Sequence, residues 1–538
     1  MQIVLTDALE KVFGEDMPRA AQPTGGAHVS GFRNEQLALQ LALLPEGESV
    51  DVQVVGPLAE HTHLAAVRRV PVSSPAPENA DAHYLVTEPG EYPDLLEPVT
   101  DGTVGGLTPG RWEALWIEVT GAPAGTHELV IRVNGKEQRA VVQVHDAELP
   151  PLTITNTHWF HVDSLAEYYG VDIFSEEHWA LIESFLASAR AMDVTSVLTP
   201  TWTPPLDTAE GHTRPFVQLV GIREVDGEYQ LDLTKLDRWL EICARLGFTG
   251  LEIAHLFTQW GARHAPAIQV ETADGPQHRF GWHTDATDPE YRRLLEMLIP
   301  TLREHLAAHW DGQVLWHISD EPSAEHLDAY RAAKAQVADL LEGALVVDAL
   351  SSFEFAEQGV VDTPIVATDH VEPFLAAGQR PWVYYCVAQG RDVANRFIAL
   401  PSVRNRVIGR QLFVAGAPGF LHWGYNFWWA QFSLRPIDPF EETCAGGAFH
   451  GGDAFMVYPG PEGTPWYSIR HRVFAQAMAD HRALTWLAEL TDRQTAAALV
   501  DEDGTLSYSR FSYDEHGHLA ARRAVDEAIL AALTSRRS

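Results

Sequence analysis

Two rhythms of apolar and polar residues divide the chain. Up to about residue 148, short runs alternate: Leu37, Leu39 and Leu41; Val52 and Val54; Trp116 to Val119; Val130 to Val133. A period of two puts alternate side chains on opposite faces of a strand. Asn134-Gly135, between Val133 and a further run from Arg139 to Val144, predicts a tight type I′ hairpin. Short strands at this spacing predict an all-β sandwich over residues 1–148, closed by the linker Leu149-Pro150-Pro151.

From residue 149 the rhythm changes. Eight short apolar runs are strand candidates: Thr153–His161, Ser196–Trp202, Gly250–Phe257, Val314–Asp320, Leu345–Ala349, Ile365–His370, Trp382–Val387 and Gly419–Asn426. Between them lie helical stretches at Glu176–Met192, Leu233–Leu246, Pro289–Ala308, Ser323–Leu341 and Ser402–Ala415. Pro322 is a suitable entrance to the fourth of these. Only a short helix fits between the fifth and sixth strands. Strand–helix alternation repeated eight times predicts a parallel (β/α)8 TIM barrel over residues 149–486. Residues 487–538 read as a C-terminal packing segment or homo-oligomer contact, with a β-like run at Leu506–Phe511 and a polar helix at Leu519–Leu533. The expected class is α/β: a barrel with an N-terminal sandwich and a short C-terminal extension.

Charge narrows the partners. The formal net charge of -36 argues against nucleic acid, whose phosphates need clustered Lys and Arg, and equally against anionic membranes. No apolar stretch reaches the roughly 18 residues of a membrane span. The first residues lack a basic start followed by an apolar run, so no secretion signal is expected. Cys243, Cys386 and Cys444 are odd in number and far apart, as free thiols of a reducing compartment would be. The expected location is cytoplasmic.

The chemistry collects at the ends of the strand candidates. In barrels of this kind, active sites form at the C-terminal ends of the strands. There lie His158, Trp159, His161 and Asp163; Trp202; His255 with Gln259 and Trp260; Asp320 and Glu321; Asp348; Asp369 and His370; Tyr384 and Tyr385; and His422, Trp423, Tyr425 and Asn426. Asp453 is a further candidate for a sugar hydroxyl. The chain has 16 Trp. Some of these fill cores, but indole also stacks on the apolar face of a sugar ring while polar groups hold the hydroxyls. Arg404, Asn405 and Arg406 read as a buried salt-bridge network. No HExxH motif or tight His/Asp cluster is evident, so no metal is expected, and no cofactor is required. Neither a P-loop nor a G-x-S-x-G elbow is present.

The centre of this pattern is Val314 to Pro322, an apolar strand that delivers Asp320 and Glu321 side by side. The bland alternative is that Asp320 caps the next helix and Glu321 is solvated. Two carboxylates this close repel, which raises the pKa of one. Ordinary retaining glycosidases use facing carboxyls about 5 Å apart, usually from different strands. Adjacent acids suit substrate-assisted hydrolysis, in which the sugar's own 2-acetamido oxygen is the nucleophile. Glu321 would be the general acid/base, and Asp320 would hold the acetamido N–H. Tyr384, Tyr385 and Tyr425 are candidates to bind the acetamido oxygen.

Three segments together resemble glycoside hydrolase family 123: His317 to Pro322, Gly419 to Trp428, and Gly452 to Gly460, with Ser468-Ile469-Arg470 downstream. The resemblance spans most of residues 150–485. It implies an N-terminal β-sandwich, β-N-acetylgalactosaminidase activity on an oligosaccharide or glycoside, and the substrate-assisted use of Asp320 and Glu321. Two other readings stay open. One is a retaining glycosidase on a non-acetamido sugar with Asp348, Asp369 or Asp163 as nucleophile. The other is a non-catalytic carbohydrate-binding barrel.

Overall fold

The computed structural model describes residues 1–14, 16–20, 27–259, 261–321 and 324–537. Eight parallel strands close a barrel: β1 (Thr155–His158), β2 (Ser196–Thr199), β3 (Gly250–Ile253), β4 (Gln313–Trp316), β5 (Leu345–Ala349), β6 (Thr363–Ala367), β7 (Trp382–Tyr384) and β8 (Gly419–His422). The seam pairs Thr155 with Gly419 through to His158 with His422. Gly419 is required there, because a Cβ would lie 2.3 Å from the Trp382 ring.

Every strand candidate is present; Leu345–Ala349 matches its candidate, the fourth and sixth strands begin one and two residues earlier than expected, and the others are trimmed to their hydrogen-bonded centres. The fourth ends at Trp316, so Asp320 and Glu321 stand on the loop beyond the ladder. The intervening helices occur where the apolar periodicity places them. Glu176–Arg190 starts on a Ser175 cap and Pro289–His309 on an Asp288 cap, whose side chains accept otherwise unpaired first-turn N–H groups. The helix expected over Ser323–Leu341 is α-helical only at Leu327–Ala335 and continues as turns.

The N-terminal region forms two sheets, of seven and five strands. Leu39, Leu41, Leu115, Ile117, Leu129 and Ile131 pack between them. Asn134 and Gly135, both at positive φ, turn the predicted hairpin that pairs Val133 with Lys136. The seven-stranded sheet also takes in Pro465–Ser468 and Val457–Pro459, which follow the barrel in sequence. Its outer face buries Ala42, Leu96 and Trp116 against Ile469 and Val473 of the helix Ile469–Leu490. Both faces of this sheet are therefore covered, which is why Leu37–Leu44 is apolar almost throughout.

The C-terminal helix Glu515–Arg537 packs Val525 and Ile529 against Phe32, Leu149, Phe413 and Leu484. The β-like run at Leu506–Phe511 is not a strand. Ser507 N–H bonds back to the Arg510 carbonyl at 2.9 Å, and Gln411 Nε2 donates to Ser507 O at 2.7 Å, so its backbone groups close a turn. Arg406 pairs with Asp480 at 2.9 Å and Arg404 with Asp81 at 2.8 Å, as a buried network requires. Arg522 extends it to Glu35 of the sandwich. Among the described residues, no helix is long and apolar enough to cross a membrane.

Four further strands hang on the loops after β2 and β3. Glu228–Asp232, Gly221–Val225, Ile268–Thr272 and Gly275–Phe280 form an accessory sheet beside the barrel mouth.

Candidate active site

A cavity of about 250 Å³ opens at the C-terminal end of the barrel. Trp159, Leu421, Trp423 and Phe449 give it apolar walls, and Asp207, Gln259, Asp320, Glu321 and Tyr384 supply polar groups. Of the expected site residues, the cavity brings together Asp320, Glu321, Trp159, Gln259, Tyr384 and Trp423.

Strand alternation explains the selection. Trp382 and Tyr384 of β7 point into the barrel with Leu315, Val347, Ile365 and Leu421, while Val383 and Tyr385 pack in the outer core. Tyr385 therefore cannot reach the cavity from its strand. Tyr425 is equally remote: its hydroxyl pairs with Ser188 at 2.5 Å, against the helix Glu176–Arg190.

Most other expected contacts are buried and already committed. His161 receives a bond from Arg214 at 3.1 Å and meets the Trp423 carbonyl at 3.0 Å, and Asp163 lies 3.4 Å from the same Arg214. Trp202 donates to the His255 carbonyl at 2.8 Å. Asn426 exchanges two bonds with the backbone of His161. His422 lies 3.3 Å from Asp453, and Asp453 accepts from Trp423 Nε1 at 3.0 Å. Burial raises the Asp453 pKa to about 7. These residues brace the mouth instead of lining it. Asp369 bonds His370 and Gln389. Trp260 lies outside the described residues.

Glu321 has a backbone φ of 42°, in the left-handed region that costs a non-glycine residue about 1–3 kcal/mol. Its exposed side chain accepts a 2.5 Å bond from the Tyr384 hydroxyl. Asp320 is the member of the pair whose pKa is raised well above the usual carboxylate range. Burial is the larger cause and the Glu321 charge the next, with His317 opposing.

Beneath the pair lies a charged group that sequence reasoning missed. Glu252 on β3 points inward, accepting from Trp159 Nε1 at 2.6 Å and from Thr157 at 2.5 Å. His317 meets Glu252 at 2.7 Å through Nε2 and Asp348 at 3.3 Å through Nδ1. Burial lowers the His317 pKa, but the two carboxylates outweigh it and hold the value at about 10. Asp348 also accepts from the Ile318 N–H and from Tyr330. The alternation of β3 was the available signal, since an inward acid in a barrel needs a cationic partner.

His255 stacks on His317 with ring centroids 4.3 Å apart. His255, His317 and Asp348 bring ligand atoms within 4.8 Å of one another. With a carboxylate at each ring nitrogen, His317 is an imidazolium without a lone pair for a metal. Cavity residues Asp207, Gln431 and Phe449 were also unforeseen. They lie on loops, where no periodicity marks them.

The profile of the glycoside hydrolase 123 catalytic domain matches residues 159–487. A family 123 glycoside hydrolase from Clostridium perfringens, described through glycolipid glycan hydrolysis, superposes with a TM-score of 0.73 at 13% identity over 100% of both chains. A family 5 mannosidase from Rhizomucor miehei gives a TM-score of 0.32 at 13% identity, covering 67% of this chain and 96% of its own. No curated protein sequence matches the chain. The profile spans more than half of the sequence and contains the Asp320–Glu321 cavity, and the chain belongs to glycoside hydrolase family 123.

Proposed function

We propose that the enzyme is a retaining, exo-acting β-N-acetylhexosaminidase, with β-linked N-acetylgalactosamine as the released sugar, and that it works by substrate assistance. The observation that carries this reading is the adjacent pair Asp320–Glu321 in a small cavity with aromatic walls, with Tyr384 bonded to Glu321. At about 250 Å³, the cavity is below the roughly 300–1,000 Å³ of sites for drug-sized ligands. That volume suits one terminal sugar.

In the first step, the acetamido oxygen attacks the anomeric carbon as the glycosidic C–O bond breaks. Glu321 gives its proton to the leaving oxygen. Asp320, as a carboxylate, holds the acetamido N–H and balances the oxazolinium charge. In the second step, water attacks the anomeric carbon, Glu321 takes its proton, and the acetamido group is restored with net retention.

A second reading has one observation in its favour. Asp348 and Asp163 are buried away from the cavity, but Asp207 lines it. Burial raises the Asp207 pKa to about 6, and its carboxylate accepts from the Phe432 N–H. On a sugar without an acetamido group, Asp207 would be the nucleophile.

Aryl β-glycosides decide between the two. Release of aryl alcohol from the β-N-acetylgalactosaminide, with inhibition by a thiazoline analogue and survival of activity in Asp207→Asn, supports substrate assistance. Hydrolysis of β-galactosides without thiazoline inhibition, lost in Asp207→Asn, rejects it. We place the enzyme in the cytoplasm, acting on imported oligosaccharide; the three unpaired thiols support a reducing compartment.

A further inference from the structure

A second cavity, of about 400 Å³, adjoins the first. Gln259 lines both, and the first cavity's wall residues Asp207 and Gln431 lead directly into Thr208 and Phe432 of the second. From this geometry we infer that the second cavity is an aglycone subsite, holding the neutral sugar to which the released residue is β-linked. The inference rests on the proposed exo-glycosidase reading of the first cavity.

Three features fit it for a sugar. Gln259 is buried, and its Oε1 is occupied by the Asp207 N–H at 2.5 Å, but its Nε2 has no partner. A desolvated amide donor without an acceptor is unfavourable, and a ligand hydroxyl at the junction of the cavities would relieve it. Trp282 is half-buried on the cavity wall, its Nε1 tied to the His212 carbonyl at 3.1 Å and its ring 5.7 Å from that of His264. The indole is thus held by its edge on the cavity wall, where an aromatic ring can stack on a pyranose. Arg263 and Glu210 are both exposed on this cavity, and neither is in an ion pair among the described residues. Opposite charges bordering one space favour a neutral ring whose hydroxyls both donate and accept.

The release of one sugar from a β-linked disaccharide tests this against the β-glycosyl azide of that sugar, whose leaving group is too small to enter the second cavity. The readout is the ratio of kcat/KM on disaccharide to kcat/KM on azide, which is independent of the fraction of folded enzyme. Trp282→Ala is expected to lower this ratio roughly three- to tenfold, as lost stacking predicts, and Trp282→Tyr to recover most of it. Ala209→Trp, which fills the cavity, is expected to lower it further. A ratio within twofold of wild type in both Trp282→Ala and Ala209→Trp overturns the subsite alone. A wild type that hydrolyses neither substrate overturns the reading of the first cavity and the subsite with it.

Discussion

The Tyr384 hydroxyl donates a 2.5 Å hydrogen bond to Glu321 Oε1, from the end of β7 to the loop after β4. Glu321 is exposed and sits at a strained φ of 42°, so this bond orients a carboxylate that little else confines. Tyr384→Phe is expected to lower kcat about ten- to a hundredfold, the range for a hydrogen bond to a charged group. Steady-state kinetics on the aryl glycoside checks this. A change confined to KM would make Tyr384 a binding group only.

The effect of removing the proposed acid is expected to depend on the leaving group. Glu321→Gln is predicted to reduce kcat about 10²–10⁴-fold on a sugar leaving group, which needs a proton. The loss is predicted to be much smaller on a dinitrophenyl glycoside, which does not. Equal losses on both would remove Glu321 from the acid role.

In the proposed substrate-assisted mechanism Asp320 sets the acid side of the pH profile. Its carboxylate must be ionised to hold the acetamido N–H, and burial and Glu321 raise its pKa. The acid limb of kcat/KM is therefore expected above the ordinary Asp value of about 3.9. In Asp320→Asn, measured on the dinitrophenyl glycoside, the titrating carboxylate is gone, so the acid limb is expected to flatten. A limb that stays in place would mean that Asp320 is not the group titrating.

His317 between Glu252 and Asp348 makes a pH-dependent contribution to stability. Its folded pKa, held at about 10, exceeds the unfolded value. The stabilisation is therefore full below about pH 6.5 and is lost as pH rises through 10. His317→Gln leaves two buried acids without their cation and is predicted to cost about 3–5 kcal/mol at pH 6. Urea unfolding from pH 6 to 10 should show the gap between wild type and variant narrowing with pH. A constant gap would contradict a charged His317.

Asp453 acts on the cavity through Trp423, whose Nε1 it accepts at 3.0 Å. Asp453→Ala frees the indole wall and is expected to raise KM several-fold, up to about tenfold for one lost hydrogen bond, with kcat little changed. Asp453→Asn keeps an acceptor and should restore KM. If Asn and Ala variants behave alike, the bond to Trp423 is irrelevant to binding.

The fold and the placing of Asp320 and Glu321 at one cavity were legible in the sequence because both rest on short-range pattern. Alternating runs located the sandwich hairpin at Asn134-Gly135, and eight apolar runs located the barrel strands. Adjacency alone placed Asp320 and Glu321 in one cavity, because a strand end carries neighbouring residues to the same place. Trp159, Tyr384 and Trp423 followed from the same logic.

What only the tertiary structure decided is which polar groups line the cavity. Tyr384 and Tyr385 are equivalent in sequence, but the pleat turns one into the barrel and the other into the outer core. His161, Asp163 and Asn426 look like ligands for sugar hydroxyls until Arg214 and the facing backbone occupy them. Asp207 carries no local signature, and the partners of Glu252, Asp207 and Gln259 come from distant segments: His317, Phe432 and the loop at Asp207 itself. The adjacency of the proposed catalytic pair is a local property of the chain. Its pKa, its walls and its partners depend on burial and on charges that meet only when the barrel closes.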